Sequence, residues 1–119
     1  MLINLSNHPS SRWQTDQLQA ANTQYGEVCD IAFPEVPPMA SKEDVAQLAE
    51  TCVCDIAKIA SATDAVVHVM GEMTLTYAIV TRLKDKGYRC VASTTIREVF
   101  EEETGKKVVL FKFTQFREY

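Results

Sequence analysis

An apolar run, Val66–Met70, leads through Gly71 straight into a helical pattern, and this junction constrains the fold more than any other stretch of the chain. The run contains three valines, which is typical of a buried strand. Residues 75–83 then place apolar side chains at the three- and four-residue spacing of an amphipathic helix. A strand that feeds a helix is the repeating unit of an α/β sheet, in which ligands bind beyond the carboxyl ends of the strands. We therefore expect a ligand site where this strand ends.

Similar signals alternate through the first half of the chain. Short apolar runs predict strands, and glycine and proline indicate where elements stop. The predicted elements are a strand at residues 1–5, a polar loop at 6–11, a helix from Ser11 or Thr15 to Gly26 with Leu18 and Ala21 inside, a strand at 27–33 and an extended connector at 34–39.

Two further helices are expected on either side of the organising strand. Ser41 precedes acidic residues and a long apolar periodicity, which predicts an N-cap and a helix that ends near Ser61. The helix after Gly71 is expected to stop at Gly87, which follows lysines at its carboxyl end.

The last third predicts strands. A fourth strand at residues 88–92 is expected to end in a hydroxyl-rich loop at 93–95. Residues 96–102 and 107–113 favour a β-hairpin, with a short helix at 96–102 as the alternative. Right-handed crossovers would stack the whole chain, residues 1–119, into one α/β domain. We expect a Rossmann-like three-layer sandwich with a mostly parallel sheet and a C-terminal β-hairpin.

Charge and hydropathy exclude several partners. The formal charge of -4 and the pI near 5.1 argue against a nonspecific binder of long nucleic acid, which carries an excess of lysine and arginine. A small phosphate ligand stays open, because one or two local arginines suffice. No apolar run reaches the roughly 20 residues of a membrane span, and the N-terminus lacks the features of a signal peptide. We expect a cytoplasmic protein with no membrane partner.

The cysteines and the known nucleotide motifs indicate neither a metal ion nor a cofactor. Cys29 and Cys90 fall in predicted strands, and Cys52 and Cys54 are two apart on a helix, so they point to different faces. We expect four buried, reduced thiols. The chain contains no G-x-G-x-x-G motif, no P-loop and no carboxylate cluster suited to Mg²⁺.

Three polar segments are expected at one edge of the sheet. If the first, third and fourth strands are neighbours, residues 6–11, 71–74 and 93–97 meet beyond their carboxyl ends. Hydroxyls, amides, a histidine and an arginine suit the oxygens of a phosphodiester. The candidate ligand-binding residues here are Asn7, His8, Ser10, Ser11, Gly71, Glu72, Met73, Thr74, Ser93, Thr94, Thr95 and Arg97.

Several of these residues also have a structural interpretation. His8 and Glu72 would serve equally as caps of helices, and His68 inside an apolar run is typical of a satisfied core histidine. Trp13 is left open between a core position and a surface on which a base stacks. The acidic residues at 98–103 favour a solvated face.

Four short motifs also carry a resemblance to a known group. They are Asn-His-Pro at 7–9, Gly-Glu-Met-Thr at 71–74, Ala-Ser-Thr-Thr-x-Arg at 92–97 and Phe-Lys-Phe-Thr-Gln-Phe-Arg-Glu-Tyr at 111–119. Together they resemble small stand-alone CRISPR-associated proteins related to the CARF-type ring nucleases of type III CRISPR systems. The resemblance spans most of the chain. It implies a single CARF-like domain, a homodimer, and a cyclic oligoadenylate bound across the dimer axis.

The resemblance also implies a reaction. The ribose 2′-hydroxyl attacks its own 3′-phosphate without a metal ion and leaves a 2′,3′-cyclic phosphate, which ends an antiviral signal. The residues implied to bind and polarise the scissile phosphate are Ser93, Thr94 and Arg97. Asn7 and His8 are implied to hold the ribose or transfer a proton.

Two further contacts follow from the same resemblance. The amides of residues 71–74, with the Thr74 hydroxyl, would seat a phosphate. Arg117 would act as a second cation or as a dimer-interface residue. Two other hypotheses stay open, which are a sensor or sponge that binds the ligand without cutting it, and an interaction subunit with no nucleotide ligand.

Overall fold

The computed structural model describes residues 1–119 and shows an α/β protein with three α-helices and a five-stranded mixed sheet, as the sequence predicts. The elements in chain order are β1 (Leu2–Ser6), α1 (Thr15–Tyr25), β2 (Val28–Ala32), α2 (Lys42–Ile59), β3 (Val66–Met70), α3 (Met73–Asp85), β4 (Arg89–Glu101) and β5 (Lys107–Glu118). A single 3₁₀ turn, Ser10–Arg12, precedes α1. None of the helices combines the length and apolar character that crossing a membrane requires.

The strand order places a change of winding direction between β1 and β3. The order across the sheet is β2-β1-β3-β4-β5, with β1 to β4 parallel and β5 antiparallel to β4. The connection after β1 leads to one side of that strand, and the connection after β3 leads to the other side. Such a point leaves a crevice beyond the carboxyl ends of the two strands, where ligands of α/β sheets bind.

Helices cover both faces of the sheet. The larger core cluster joins Ile3 and Val67 to apolar side chains of α2 and α3. The smaller cluster joins Leu2 and Val91 to Ala21 of α1. Because neighbouring residues of a strand point to opposite faces, α1 lies on one face, and α2 and α3 lie on the other.

Local chemistry explains the main boundaries. Ser41 Oγ accepts a hydrogen bond from the Asp44 N–H, and the Asp44 carboxylate accepts one from the Ser41 N–H, both at 3.0 Å. This capping box confirms the predicted start of α2. Gly26 ends α1 with a φ of 87°, which favours glycine. Position 71 requires glycine for a different reason. A Cβ atom there would lie only 2.5 Å from the Phe33 ring, so a larger residue would clash with it.

The prediction of a loop at residues 93–95 is wrong. β4 runs without interruption through these residues into the hairpin, because β5 pairs with it as far as Glu101 and satisfies its backbone groups. The predicted hairpin is confirmed, and the alternative helix at 96–102 is excluded. A register shift between Thr94 and Thr95 leaves Thr114 without an opposite residue, which is a β-bulge.

Two expectations about burial are also wrong. Leu18 is 37 % exposed, because Ala21 and the partly buried Tyr25 supply the contacts of α1 with the sheet. Cys54 is exposed as well, since its position on α2 faces away from the core. All four thiols are free, and burial raises the pKa of Cys90 to about 11 although Lys84 opposes it.

The hairpin projects beyond the rest of the sheet. β3 pairs with β4 only as far as Val91, so that the remainder of β4 has β5 as its single neighbour. We call residues 95–113 the arm. Its two strands expose apolar side chains on both faces, namely Ile96, Val99, Phe100, Val109, Leu110 and Phe111.

Candidate functional site

A cavity of about 400 Å³ opens at the carboxyl ends of β1 and β3 and beside the middle of β4, on the face that α1 covers. It contains hydroxyl groups from two strands and nitrogen-bearing side chains from the loop after β1 and from β3. Aromatic rings from that loop and from the arm close it. The polar groups that matter most are those of His8, Arg12, His68, Ser93 and Thr95, and the rings are those of Trp13, Phe111 and Phe113.

A row of polar side chains, of which Asn4 and His68 are buried, forms the floor next to this cavity. Asn4 on β1 is in register with Asp30 on β2 and with His68 on β3. The Asn4 amide nitrogen donates to Asp30 Oδ1 at 2.8 Å and to the His8 carbonyl at 2.9 Å. Two acceptors on that side fix the orientation of the amide, so Asn4 Oδ1 faces His68 Nδ1 at 2.8 Å and accepts its proton.

His68 is buried like a core residue, but the prediction that it is satisfied is wrong. Its Nδ1 donates to Asn4, while Nε2 has no hydrogen-bond partner in a residue that is only 2 % exposed. Burial, and secondarily the charge of His8, lower the pKa of His68 to about 4, which keeps it neutral near pH 7. Trp13 and Phe116 pack edge-on against the ring, with centroids at 5.5 and 5.7 Å.

The loop that carries His8 is held by its own backbone. The His8 carbonyl accepts hydrogen bonds from Asn4 Nδ2 at 2.9 Å and from Trp13 Nε1 at 3.0 Å, and Ser6 Oγ lies 3.0 Å away. The donors of Asn4 and Trp13 fix the position of this residue, whose side chain lines the cavity. Trp13, which the sequence left open, therefore both anchors the loop and contributes a wall of the cavity.

The three hydroxyls of residues 93–95 do not share a face. Ser93 and Thr95 line the cavity, whereas Thr94 points to the opposite face of β4 and donates to the Gln115 carbonyl at 3.2 Å. The Ser93 hydroxyl and N–H lie 3.0 and 3.3 Å from the sulfur of Met70. A thioether is a weak acceptor, so the Ser93 hydroxyl can turn to a stronger one, while the backbone N–H stays where β4 holds it.

The turn at residues 71–74 lies outside the cavity lining. The Glu72 carboxylate accepts hydrogen bonds from the Thr74 hydroxyl at 2.6 Å, the Thr74 N–H at 3.0 Å and the Leu75 N–H at 2.8 Å. These bonds lower the pKa of Glu72, and the bond from the Thr74 hydroxyl has the largest effect. The carboxylate thus occupies the amide and the hydroxyl of Thr74, which the sequence prediction offered to a phosphate. Met73 is 83 % exposed.

The other predicted residues of the first loop also lie outside the cavity lining. Ser10 donates from its hydroxyl and its N–H to Asp30, at 2.7 and 3.0 Å. Partial burial raises the pKa of Asp30, but hydrogen bonds from Ser10 and Asn4 outweigh it and lower that pKa overall. Asn7 lines a separate hollow beside Asp30, and Ser11 is exposed.

The cation that lines the cavity is Arg12, which sequence reasoning missed. It takes part in none of the three ion pairs of the protein. Arg97 lies on the arm opposite Phe111, next to the lining rather than in it. Arg117 follows Phe116 along β5 and therefore points to the opposite face of the sheet. The signal for Arg12 was its position immediately after the predicted polar loop at residues 6–11.

A larger groove of about 570 Å³ lies between α2 and α3 and contains the exposed side chains of Met73 and Tyr77. Its guanidinium group, that of Arg82, is already paired with Glu50 at 2.8 Å. We assign the candidate site to the smaller cavity, because polar groups of three strands converge there at the change of winding direction.

No group of three histidine, cysteine or carboxylate side chains is close enough to hold a metal ion.

Comparison with known proteins gives a family. The sequence matches a protein family over residues 1–117, which is nearly the whole chain. The chain belongs to the uncharacterized protein MJ1673 family. No curated protein and no solved structure matches the sequence significantly. The description of the MJ1673 family carries no activity, so the function has to be argued from the cavity.

Proposed function

We propose that the protein is a ring nuclease, which binds a cyclic oligoadenylate in the cavity and opens it without a metal ion, switching off type III CRISPR signalling. The proposal includes a Rossmann-like, CARF-like fold, which is supported by the strand order and by helices on both faces. The observation that carries it is Ser93, whose O–H and N–H share the weak acceptor Met70 in a cavity that also contains His8 and Arg12.

The proposed reaction uses these groups as follows. The ribose 2′-oxygen bonds to phosphorus, the bond from phosphorus to the 5′-oxygen breaks, and the products are a 2′,3′-cyclic phosphate and a 5′-hydroxyl. Ser93 donates to a non-bridging oxygen, and Arg12 balances the negative charge that grows there. His8 accepts the 2′-proton while the departing 5′-oxygen takes up a proton, so that no proton is gained or lost overall.

The aromatic rings suit the base of such a ligand. Trp13, Phe111 and Phe113 all line the cavity. Stacking on aromatic side chains contributes about 1–3 kcal/mol per base. An adenine ring therefore fits the apolar side of the cavity while its phosphate lies near Ser93.

The proposal also includes a homodimer, but its two-fold axis lies on the side of the arm away from the cavity, so the ligand does not cross the axis as the resemblance implies. The face of the arm away from the cavity, which we call the outer arm face, consists of Ile96, Glu98 and Phe100 on β4 and Val108, Leu110 and Lys112 on β5. It combines exposed apolar side chains with one acid and one base. A second copy related by a two-fold axis can place Glu98 beside the partner's Lys112, because a two-fold interface pairs a surface with itself.

Single-turnover cleavage of labelled cyclic tetra- and hexa-adenylate in EDTA tests the activity. We expect at least one ring to be converted to linear product ending in a 2′,3′-cyclic phosphate. Intact rings despite tight binding would contradict the enzyme and support the sensor or sponge. A ligand at 100 times its Kd stabilises the fold by about 2.7 kcal/mol, so no thermal shift with either ring would support the interaction subunit.

Ser93→Ala and Thr94→Ala form a matched pair for this assay. Both remove one hydroxyl from adjacent positions of β4, but only Ser93 lines the cavity. We expect Ser93→Ala to lower the cleavage rate about 100-fold, as the loss of one donor to a developing oxyanion does, with binding retained. Thr94→Ala should cleave within about threefold of the unsubstituted protein. Equal rates for the two variants would contradict the assignment of Ser93.

A further inference from the structure

Two buried side-chain polar atoms have no hydrogen-bond partner, Thr76 Oγ1 and His68 Nε2, and of these residues only His68 lines the candidate cavity. The residue lies in the middle of β3, and its Nδ1 is taken by Asn4. The Asn4 amide cannot turn over, because its nitrogen serves the Asp30 carboxylate and the His8 carbonyl. His68 is therefore fixed as the tautomer whose Nε2 is a bare acceptor, and that atom has no partner in a residue 98 % removed from solvent.

The position of this acceptor points to a ligand. Nε2 lies at the end of the imidazole ring farthest from the backbone, so it projects away from the sheet into the layer that contains the cavity, which His68 lines. Leaving a buried acceptor unsatisfied costs about 1–3 kcal/mol. Apolar residues of the same size would fill the space without that cost, so the acceptor needs a reason beyond packing.

We propose that His68 is a ligand-binding residue whose Nε2 accepts a hydrogen bond from an O–H or N–H donor of the bound nucleotide, with Asn4 as the positioning residue that holds the tautomer. The inference rests on the proposed function for the location and class of the ligand, but it does not require cleavage. Two groups of a cyclic oligoadenylate have the required chemistry, the ribose 2′-hydroxyl and the exocyclic amine of adenine, because each 3′-oxygen is esterified.

Nitrogen NMR of the histidine side chains tests the proposal on the unsubstituted protein. At pH 7 without ligand, the His68 resonances should show a proton on Nδ1 and none on Nε2. A proton on Nε2 would overturn the proposal. On addition of cyclic tetra- or hexa-adenylate or of AMP, the Nε2 resonance should move to lower frequency, as an acceptor nitrogen does when it is hydrogen-bonded.

Two analogues of AMP separate the possible donors. Purine riboside 5′-monophosphate lacks the exocyclic amine, and 2′-deoxy-AMP lacks the 2′-hydroxyl. If the shift of Nε2 disappears with one analogue only, the group missing from that analogue is the donor. A shift retained with both analogues would assign the bond to the 3′-hydroxyl, which is esterified in a cyclic oligoadenylate, and would overturn the proposal for that ligand. Loss of the shift with one analogue only supports the proposal.

A pair of variants tests whether His68 contributes to ligand affinity or only to the stability of the fold. His68→Leu removes the acceptor at similar volume, and Asn4 Oδ1 keeps the Ser6 hydroxyl, 2.8 Å away, as a donor. We expect affinity for the adenylate to fall about 10-fold. Val91→Ala, at the position in register with His68 and buried in the same layer, should destabilise the fold and leave affinity unchanged.

The results separate the two proposals. Binding of an adenylate with an unmoved Nε2 resonance and unchanged affinity of His68→Leu would overturn the role of His68 and leave the ring nuclease standing. Binding with a shifted Nε2 and no cleavage would support His68 and overturn the ring nuclease. If none of the adenylates binds, both proposals fail.

Discussion

His68 binds a proton less readily in the folded protein than in the unfolded chain, because burial, with His8 second, lowers its pKa from 6.5 to about 4. Between these two values the unfolded chain holds more protons, so acid favours unfolding. The contribution of His68 to stability is complete above about pH 6.5 and is lost as the pH falls toward 4. We predict that protonation of His68 lowers the free energy of unfolding by about 2 kcal/mol between pH 7 and pH 5. Urea denaturation at the two pH values measures this difference.

His68→Leu is the comparison that isolates this effect. Every carboxylate, Asp30 included, is present in both proteins, and so is His8. The variant should therefore lose most of the slope between pH 7 and pH 5 while keeping the acid unfolding below pH 4. An unchanged slope in His68→Leu would mean that His68 is as easily protonated in the folded protein as in water.

At the scale of elements, the sequence indicated which segments are strands and helices but not where β4 ends. Residues 93–95 have the composition of a loop, and only pairing with β5, a segment more than ten residues away, makes them a strand. Local patterns contain no information on such a partner, because the propensity of a strand depends on its neighbours. The consequence reaches the site, since alternation along β4 separates Thr94 from Ser93 and Thr95.

The composition of the site was predictable in part. The sequence indicated that the loop after β1 and the segment from residue 93 would meet, and it named His8, Ser93 and Thr95. It ended β4 too early and included the turn at 71–74, which lies outside the cavity lining. It did not reveal that Asn4 and His68, two polar residues inside apolar runs, are in register, because register follows from the whole sheet. The two polar residues inside apolar runs were the one available signal for the polar floor of the cavity. The strand order is needed to see that they lie side by side.

The arm is fastened to α1 by the side chain of Gln14. Its amide nitrogen donates to the Phe111 carbonyl at 2.6 Å, and its oxygen accepts from the Phe113 N–H at 3.2 Å, so it pairs with the free edge of β5. We predict that Gln14→Ala increases hydrogen exchange at the Phe113 amide about 10-fold, because its acceptor is gone, with less than about 1 kcal/mol lost in global stability. The measurement is exchange followed by NMR.

Gln17→Ala is the control for this prediction. Gln17 lines the same cavity and has the same side chain, but it makes no hydrogen bond to the arm. Its removal should leave the Phe113 amide as protected as before. Equal exchange at that amide in both variants would show that the arm is held by the packing of Phe113 against Phe116, whose centroids are 5.0 Å apart, rather than by Gln14.

At the scale of the whole molecule, the chain is more extended than its length requires. Its radius of gyration is 16.0 Å and its extents are 51 × 39 × 21 Å. A compact domain of this length has a radius of gyration of about 13.5 Å. The arm accounts for much of the difference, and it exposes apolar side chains that a compact fold would bury. Exposed apolar patches of this kind mark interaction surfaces.

The proposed homodimer predicts which face of the arm matters. Phe100 and Leu110 on the outer arm face are each 50 % exposed, and their joint replacement by serine should weaken dimerisation about 100-fold or more, because each buried apolar side chain contributes about 1.5–3 kcal/mol. The matched control replaces Val99 and Val109, which lie opposite each other on the inner face, by serine and should leave the dimer intact. Sedimentation equilibrium measures both. If only the inner-face variant lost the dimer, the two-fold axis would lie on the cavity side of the arm. If the unsubstituted protein were monomeric, the proposal of a homodimer would be wrong.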